Sequence, residues 1–166
     1  MPAAHAELAQ VFQEHHARVF KAAYRITGNT PDAEDVLQSV FLRLVRRELD
    51  SEAVDNLDSY LYRAAINAAL DLLRSRKLRP SIVLDDSAPA PDSSSSFEIS
   101  NWLRQALTRL SPRPAEMFVL RYVEGYDNRE IAQMMHTSQA VVAVTLHRTR
   151  GQLQKDYLAF QRGNHA

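Results

Sequence analysis

The chain has 166 residues, 45% of them apolar and 24% charged, enough apolar material for a packed core and too much for global disorder. It contains no cysteine, which excludes disulfides, thiolate metal sites and a cysteine nucleophile and suits a reducing compartment. Twenty basic and twenty acidic side chains cancel, but unevenly: residues 1–80 carry 11 of each, residues 81–100 none and four, and residues 101–166 nine and five. The C-terminal third is therefore mildly basic behind an acidic connector, and that distribution weighs more than the zero sum when nucleic acid is considered as a partner.

Only four glycines interrupt stretches rich in Ala, Leu, Arg and Glu, which favours helix throughout. The opening MPAAHAELAQVFQEHH is too polar for a signal peptide, and no apolar run approaches the roughly 18 residues of a membrane span. Residues about 4–27 place Leu8, Val11, Phe12, Val19, Phe20 and Ala23 at helical spacing, with Gly28 as the stop. Thr30 before Pro31 is expected to cap a second helix, with Asp32, Glu34 and Asp35 in its first turns, where the helix dipole favours anions. The stripe Val36, Leu37, Val40, Phe41, Leu44 continues that helix. A polar loop is expected at 48–56, then a helix over about 57–78 with Leu61, Ala65, Ala68 and Leu72 on one face. Arg74, Arg76, Lys77 and Arg79 cluster at its C-terminal end.

The segment 85–96, DDSAPAPDSSSS, reads as a solvated linker. Beyond it, Ser95 and Glu98 have capping-box spacing before a helix through Trp102, Leu103, Leu107 and Leu110. Ser111-Pro112 restarts the chain, and a helix through Phe118, Val119, Tyr122 and Val123 is expected to end at Gly125. Asp127 and Glu130 open a short helix, NREIAQMM; after a turn at His136-Thr137, Ser138 caps a long last one.

Residues 126–153 carry the strongest functional signal. A short capped helix turns Ile131, Ala132 and Met135 inward, and a longer one does the same with Val142, Leu146, Thr149 and Leu153, the helix-turn-helix pattern. In that pattern the second helix enters the major groove. Gln139 suits adenine, Ala143 or Val144 a thymine methyl, and Arg148 and Arg150 suit phosphates. The same spacing also fits an ordinary helical hairpin with a solvated face. Likewise, acids at the start of the second helix and bases at the end of the third fit cap electrostatics as well as a binding surface. Of the histidines, His15 and His16 are adjacent and read as surface residues, and no HExxH pairing, phosphate-cradling glycine loop or nucleophile elbow is present. No catalytic residue, metal or cofactor is expected, and the chain is read as not an enzyme.

The string AEDVLQSVFLRLVRR followed by YLYRAAINAALDLLRSRK resembles region 2 of the extracytoplasmic-function sigma factors of the sigma-70 family, and LTRLSPRPAEMFVLRYVEGYDNREIAQMMHTSQAVVAVTLHRTRGQL resembles their region 4. The resemblance spans nearly the whole chain except the linker and the last dozen residues. It implies an all-α fold of two small helical domains, a three-helix region 2 over 1–80 and a helix-turn-helix region 4 over 97–166, joined by a flexible acidic linker, 81–96. It further implies an alternative sigma factor in the cytoplasm that binds core RNA polymerase (beta-prime clamp and beta flap) and promoter DNA. An anti-sigma factor is expected as a third partner, and no membrane insertion is expected.

Carried over residue by residue, the resemblance places Asp35, Gln38, Phe41, Leu42 and Arg43 against the polymerase clamp. It places the 48–56 loop with Asn67, Asp71, Arg74, Arg76 and Lys77 at the minus-ten element. Arg129, Ser138, Gln139, Ala140, Ala143, Val144, His147, Arg148 and Arg150 fall at the minus-thirty-five element. Four positions depart from the family pattern. Ala143 and Thr145 stand where cations are usual, His136 replaces a turn glycine, and Ser39 replaces an acid after Gln38. Fewer cations imply weaker, less salt-dependent minus-thirty-five binding. The alternative is a helix-turn-helix regulator or sigma-like adaptor that does not initiate transcription; failure to bind core polymerase would distinguish it.

Overall fold

A computed structural model describes residues 2–46, 56–78 and 94–164. Seven α-helices account for nearly all of them, with no strand among the described residues: α1 (Pro2–Thr27), α2 (Thr30–Arg46), α3 (Leu57–Leu78), α4 (Ser94–Arg109), α5 (Pro112–Phe118), α6 (Asn128–Met134) and α7 (Gln139–Asn164). None is long and apolar enough to cross a membrane. The chain divides into two compact units, Met1–Pro89 and Ala90–Ala166. The expected loop 48–56 lies outside the described residues except Asn56, as does most of the expected linker. Its last residues, 94–96, are helical: α4 begins at Ser94, so Ser95 sits inside the helix and does not cap it.

In the first unit α1, α2 and α3 each pack on the other two. The core is built from Val19, Ala22, Ala23 and Ile26 of α1, Val36, Val40, Phe41 and Leu44 of α2, and Leu61, Ala65, Ile66 and Leu70 of α3. The buried alanines Ala22, Ala23, Ala33, Ala65 and Ala69 take little room between the helices, and the larger side chains fill the rest of the core. α1 ends at Gly28, whose φ of 76° suits a residue without Cβ; its N–H closes the helix on the Tyr24 carbonyl at 2.8 Å. α2 is capped by Asn29, a correction to the expected Thr30. The Asn29 Oδ1 accepts from the Asp32 N–H at 2.9 Å, a bond that the Thr30 side chain, already inside the helix, is not placed to make. α1 and α3 are tied by Arg18, which donates to both carboxylate oxygens of Asp58 (3.2 and 3.1 Å) and to the Tyr62 hydroxyl (3.2 Å). His15 is not the surface residue expected: its side chain is 17% exposed, and Nδ1 lies 3.3 Å from Asp58.

In the second unit α5 and α6 pack on α7, around Leu107, Met117, Leu120, Ile131, Val142 and Leu146. α5 does not run on as a plain helix. Val119–Val123 form a π-helical turn, with the Glu124 N–H bonded to the Val119 carbonyl at 2.9 Å and Gly125 (φ 82°) ending it. The wider turn buries Val119 and Leu120 and leaves Tyr122 46% exposed. At the far end of α7, Tyr157 meets Trp102 of α4 edge-on, ring centres 5.0 Å apart.

Candidate nucleic-acid interface

The α6–α7 pair is built as its sequence signals require. Asp127 and Glu130 form a full capping box: the Asp127 carboxylate accepts from the Glu130 N–H at 2.8 Å, and Glu130 accepts from the Asp127 N–H at 3.2 Å. That backbone hydrogen bond from Glu130 is the chief reason the Asp127 carboxyl is held below its ordinary value of 3.8. α6 closes in a Schellman turn, with Thr137 N–H to Ala132 carbonyl at 2.9 Å and His136 N–H to Gln133 carbonyl at 3.4 Å. The residue at the left-handed position of this turn is His136, φ 54°, where glycine has no steric penalty. Ser138 then caps α7, its hydroxyl accepting from the Val141 N–H at 3.2 Å.

Val142, Leu146, Thr149 and Leu153 are all buried, as their spacing predicts. Every sequence-predicted reader on α7 is exposed: Gln139, Ala140, Ala143, Val144, His147, Arg148 and Arg150, with Ser138 just before them and Arg129 in the first turn of α6. At 3.6 residues per turn, Ala140, Val144, His147 and Arg148 lie opposite the buried row. Arg150 falls on a flank, its guanidinium 5.8 Å from the centre of the Tyr122 ring, which also carries Arg121 at 5.7 Å. Val141 and Val144 are 44% and 50% exposed, so the outer face of α7 is part apolar, part cationic.

In the first unit the α2 residues divide. Asp35, Gln38, Leu42 and Arg43 are exposed, Leu42 by 54%. Phe41 is not a surface residue: it is 7% exposed and meets Phe12 of α1 edge-on at 5.0 Å, so it belongs to the packing beneath that surface. Leu8, Phe12, Gln38, Leu42 and Val45 line a groove of about 810 Å³ between α1 and α2. Phe12 (40% exposed) and Val45 (44%) were not singled out as surface residues by the pattern, because apolar spacing alone does not separate a core stripe from a groove.

On α3, Asn67 is half-buried and Asp71 exposed, with Arg74 paired to Asp71 at 3.1 Å. Arg76 is joined to Asp32 of α2, a carboxylate only 2% exposed. The Lys77 side chain lies outside the described residues.

A three-helix unit followed by a capped helix-turn-helix unit defines a two-part, helical class of protein. The family model for Sigma-70 region 2 matches residues 11–79, and that for Sigma-70, region 4 matches residues 100–153. The ECF RNA polymerase sigma factor SigE of Mycolicibacterium smegmatis is 32% identical over 158 residues, covering 90% of this chain and 61% of its own length. The ECF RNA polymerase sigma factor SigW of Bacillus subtilis is 26% identical, covering 92% of this chain and 88% of its own length. Two solved structures share the fold. CnrH in complex with the cytosolic domain of CnrY has a TM-score of 0.55 at 20% identity, covering 92% of this chain and 88% of that one. The sigma factor RpoE in complex with the anti-sigma factor NepR from Bartonella quintana has a TM-score of 0.53 at 18% identity, covering 90% and 95%. The chain belongs to the sigma-70 family, in its extracytoplasmic-function branch.

Proposed function

We infer that the chain acts as an alternative sigma factor, binding core RNA polymerase and directing promoter-specific initiation. The observation that carries this is the pairing, in order, of region 2 over residues 11–79 and region 4 over residues 100–153 in two separate compact units. In this reading residues 1–80 and 97–166 are the working domains, with 81–96 as their connector. The exposed α2 residues Asp35, Gln38, Leu42 and Arg43, beside the apolar groove, meet the polymerase clamp. An apolar side chain set among polar ones is the usual form of an interface anchor.

Asn67, able both to donate and to accept, reads a minus-ten base exposed on melting, with Asp71, Arg74, Arg76 and Lys77 alongside it. Ser138, Gln139, Ala140, Ala143, Val144, His147 and Arg148, supported by Arg129 and Arg150, meet the minus-thirty-five element. Ala143 and Val144 suit thymine methyls, and few cations are left for phosphate. The 97–166 domain on its own then binds duplex weakly, and promoter recognition depends on polymerase holding both units on one DNA, which raises the effective concentration of the second contact. The chain itself performs no catalytic step, works in the cytoplasm beside polymerase, and has an anti-sigma protein as its third partner, as RpoE of Bartonella quintana has NepR.

Run-off transcription with core polymerase on a genomic fragment library tests the reading. Discrete transcripts that require the chain are expected. A chain that binds duplex DNA but not core polymerase would be a helix-turn-helix regulator instead.

A further inference from the structure

We propose that Asp32 is a positioning residue for the promoter-facing end of α3, and that Arg76 is its strut and not a contact to DNA phosphate. The inference rests on the reading of α3 as the minus-ten helix and goes beyond it by removing one residue from the DNA contacts and adding one that never touches DNA.

Asp32 sits in the first turn of α2, where its sequence position predicts no more than a favourable interaction with the helix dipole. The structure gives it a different environment. Its side chain is 2% exposed, among the most buried in the chain and the only carboxylate among the large, fully buried side chains of the described residues. An ionised carboxylate out of water is costly unless its oxygens are engaged. Both are: Oδ2 accepts from Asn29 Nδ2 at 2.7 Å, and Oδ1 is paired with Nη2 of Arg76. The Asn29 Oδ1 in turn accepts from the Asp32 N–H at 2.9 Å, so cap and carboxylate hold each other in one geometry.

Arg76 reaches Asp32 from the last turn of α3, 44 residues along the chain. Helix ends fray unless something beyond their own hydrogen bonds holds them. Among the described side chains of α3, the fully buried ones end at Leu70, Leu72 and Leu73 are half-buried, and Ser75 and Arg76 are exposed. The Asp32 pair therefore ties this exposed last turn, next to Arg74 and Lys77, to α2. A half-buried pair of this kind contributes modest net stability but dictates where its partners lie. With its charge met by Asp32, Arg76 has little to gain from a phosphate, and contact with one would take the guanidinium away from the buried Asp32 Oδ1.

Three full-length variants with core polymerase test this: Asp32→Asn, Arg76→Gln and the double substitution. Three quantities are read: core affinity, the rate of promoter opening from a fluorescent base in the minus-ten element, and the salt slope of promoter binding. Amide hydrogen exchange over residues 72–78 of the free chain is a fourth, independent of activity. Each single variant is expected to slow opening about tenfold, with the double no slower than either, since one broken pair is counted once. Core affinity stays within about twofold, exchange over 72–78 quickens, and the salt slope of Arg76→Gln stays at the wild-type value. A slope lowered by about one unit in Arg76→Gln would make Arg76 a phosphate contact and overturn the proposal. Opening rates equal to wild type would overturn it too, as would a loss of core affinity matching the loss of opening, which marks general destabilisation. Should Asp32→Asn fail to fold, Arg76→Gln alone carries the test through opening rate, salt slope and exchange, because the Arg76 side chain is 41% exposed. If the wild-type chain opens no promoter, the sigma reading itself fails, an outcome distinct from variants that match an active wild type.

Discussion

Phe41 and Leu42 are neighbours on α2 whose substitutions should have opposite consequences. Phe41 is 7% exposed and packed edge-on against Phe12, so Phe41→Ala removes most of a buried ring and leaves a cavity, costing about 3 kcal/mol or more of stability. Leu42 is 54% exposed, so about half of its side chain already meets water; Leu42→Asp forfeits at most about 1 kcal/mol of burial, plus a few tenths for an acid near a helix C-terminus. On polymerase the order reverses. As an apolar anchor between Gln38 and Arg43, Leu42 should contribute at least about 2 kcal/mol to core binding, roughly thirtyfold in affinity. Urea unfolding followed by circular dichroism gives the first quantity, and titration of labelled core polymerase the second. If Leu42→Asp unfolds as readily as Phe41→Ala, or binds core polymerase with wild-type affinity, the placement of the α2 surface is wrong.

Ala143→Arg adds a cation to the exposed face of α7 and should steepen the salt slope of promoter binding by about one unit; an unchanged slope places Ala143 away from the phosphates. Asn67→Ala should slow promoter opening while core affinity holds, measured by the same fluorescent-base assay; normal opening would leave Asn67 without a role in melting. His136→Gly relieves a left-handed φ of 54° at the expense of a more flexible unfolded chain, for a net gain of about 0.5 kcal/mol, and a lowered urea midpoint would contradict that balance. The Asp127 carboxyl titrates lower in the fold than when unfolded, so its contribution is complete above about 3.8 and is lost as pH falls through the lower, folded value. Asp127→Asn, which cannot ionise, should therefore show less loss of melting temperature below pH about 4 than wild type, and parallel curves would mean that the cap charge is idle.

The helices and the α6–α7 turn were legible because their signals are local. Asp127 with Glu130, Ser138, and the buried row from Val142 to Leu153 each depend on residues a turn apart, and each stands where the spacing predicts. What escaped the sequence depends on distant partners or on small shifts of backbone. Asn29 takes the capping role from Thr30 because the helix begins one residue earlier than the Thr-Pro signal implies. Asp32 reads as an N-terminal acid until Arg76, far along the chain, is seen to meet it. Phe12 and Phe41 both fit an apolar stripe, yet only the packing of α1 on α2 decides that Phe12 stands 40% exposed at the groove while Phe41 is buried at its floor. The π-turn at Val119–Val123 leaves no mark in a 3.6-residue pattern, since it adds one residue within a mainly apolar stretch broken only by Arg121.

The chain has one tryptophan, and its placement makes it an optical probe of a single unit. Trp102 is half-buried with the Tyr157 ring at 5.0 Å, so its emission responds to whether α4 and the far end of α7 stay together. The first unit, with no tryptophan, is silent in that signal but contributes three long helices to far-ultraviolet ellipticity. Tryptophan emission and ellipticity followed in one denaturant titration therefore separate the melting of the two halves without labels or truncation. Non-coincident curves would resolve their individual stabilities, and coincident ones would reveal that the halves unfold together.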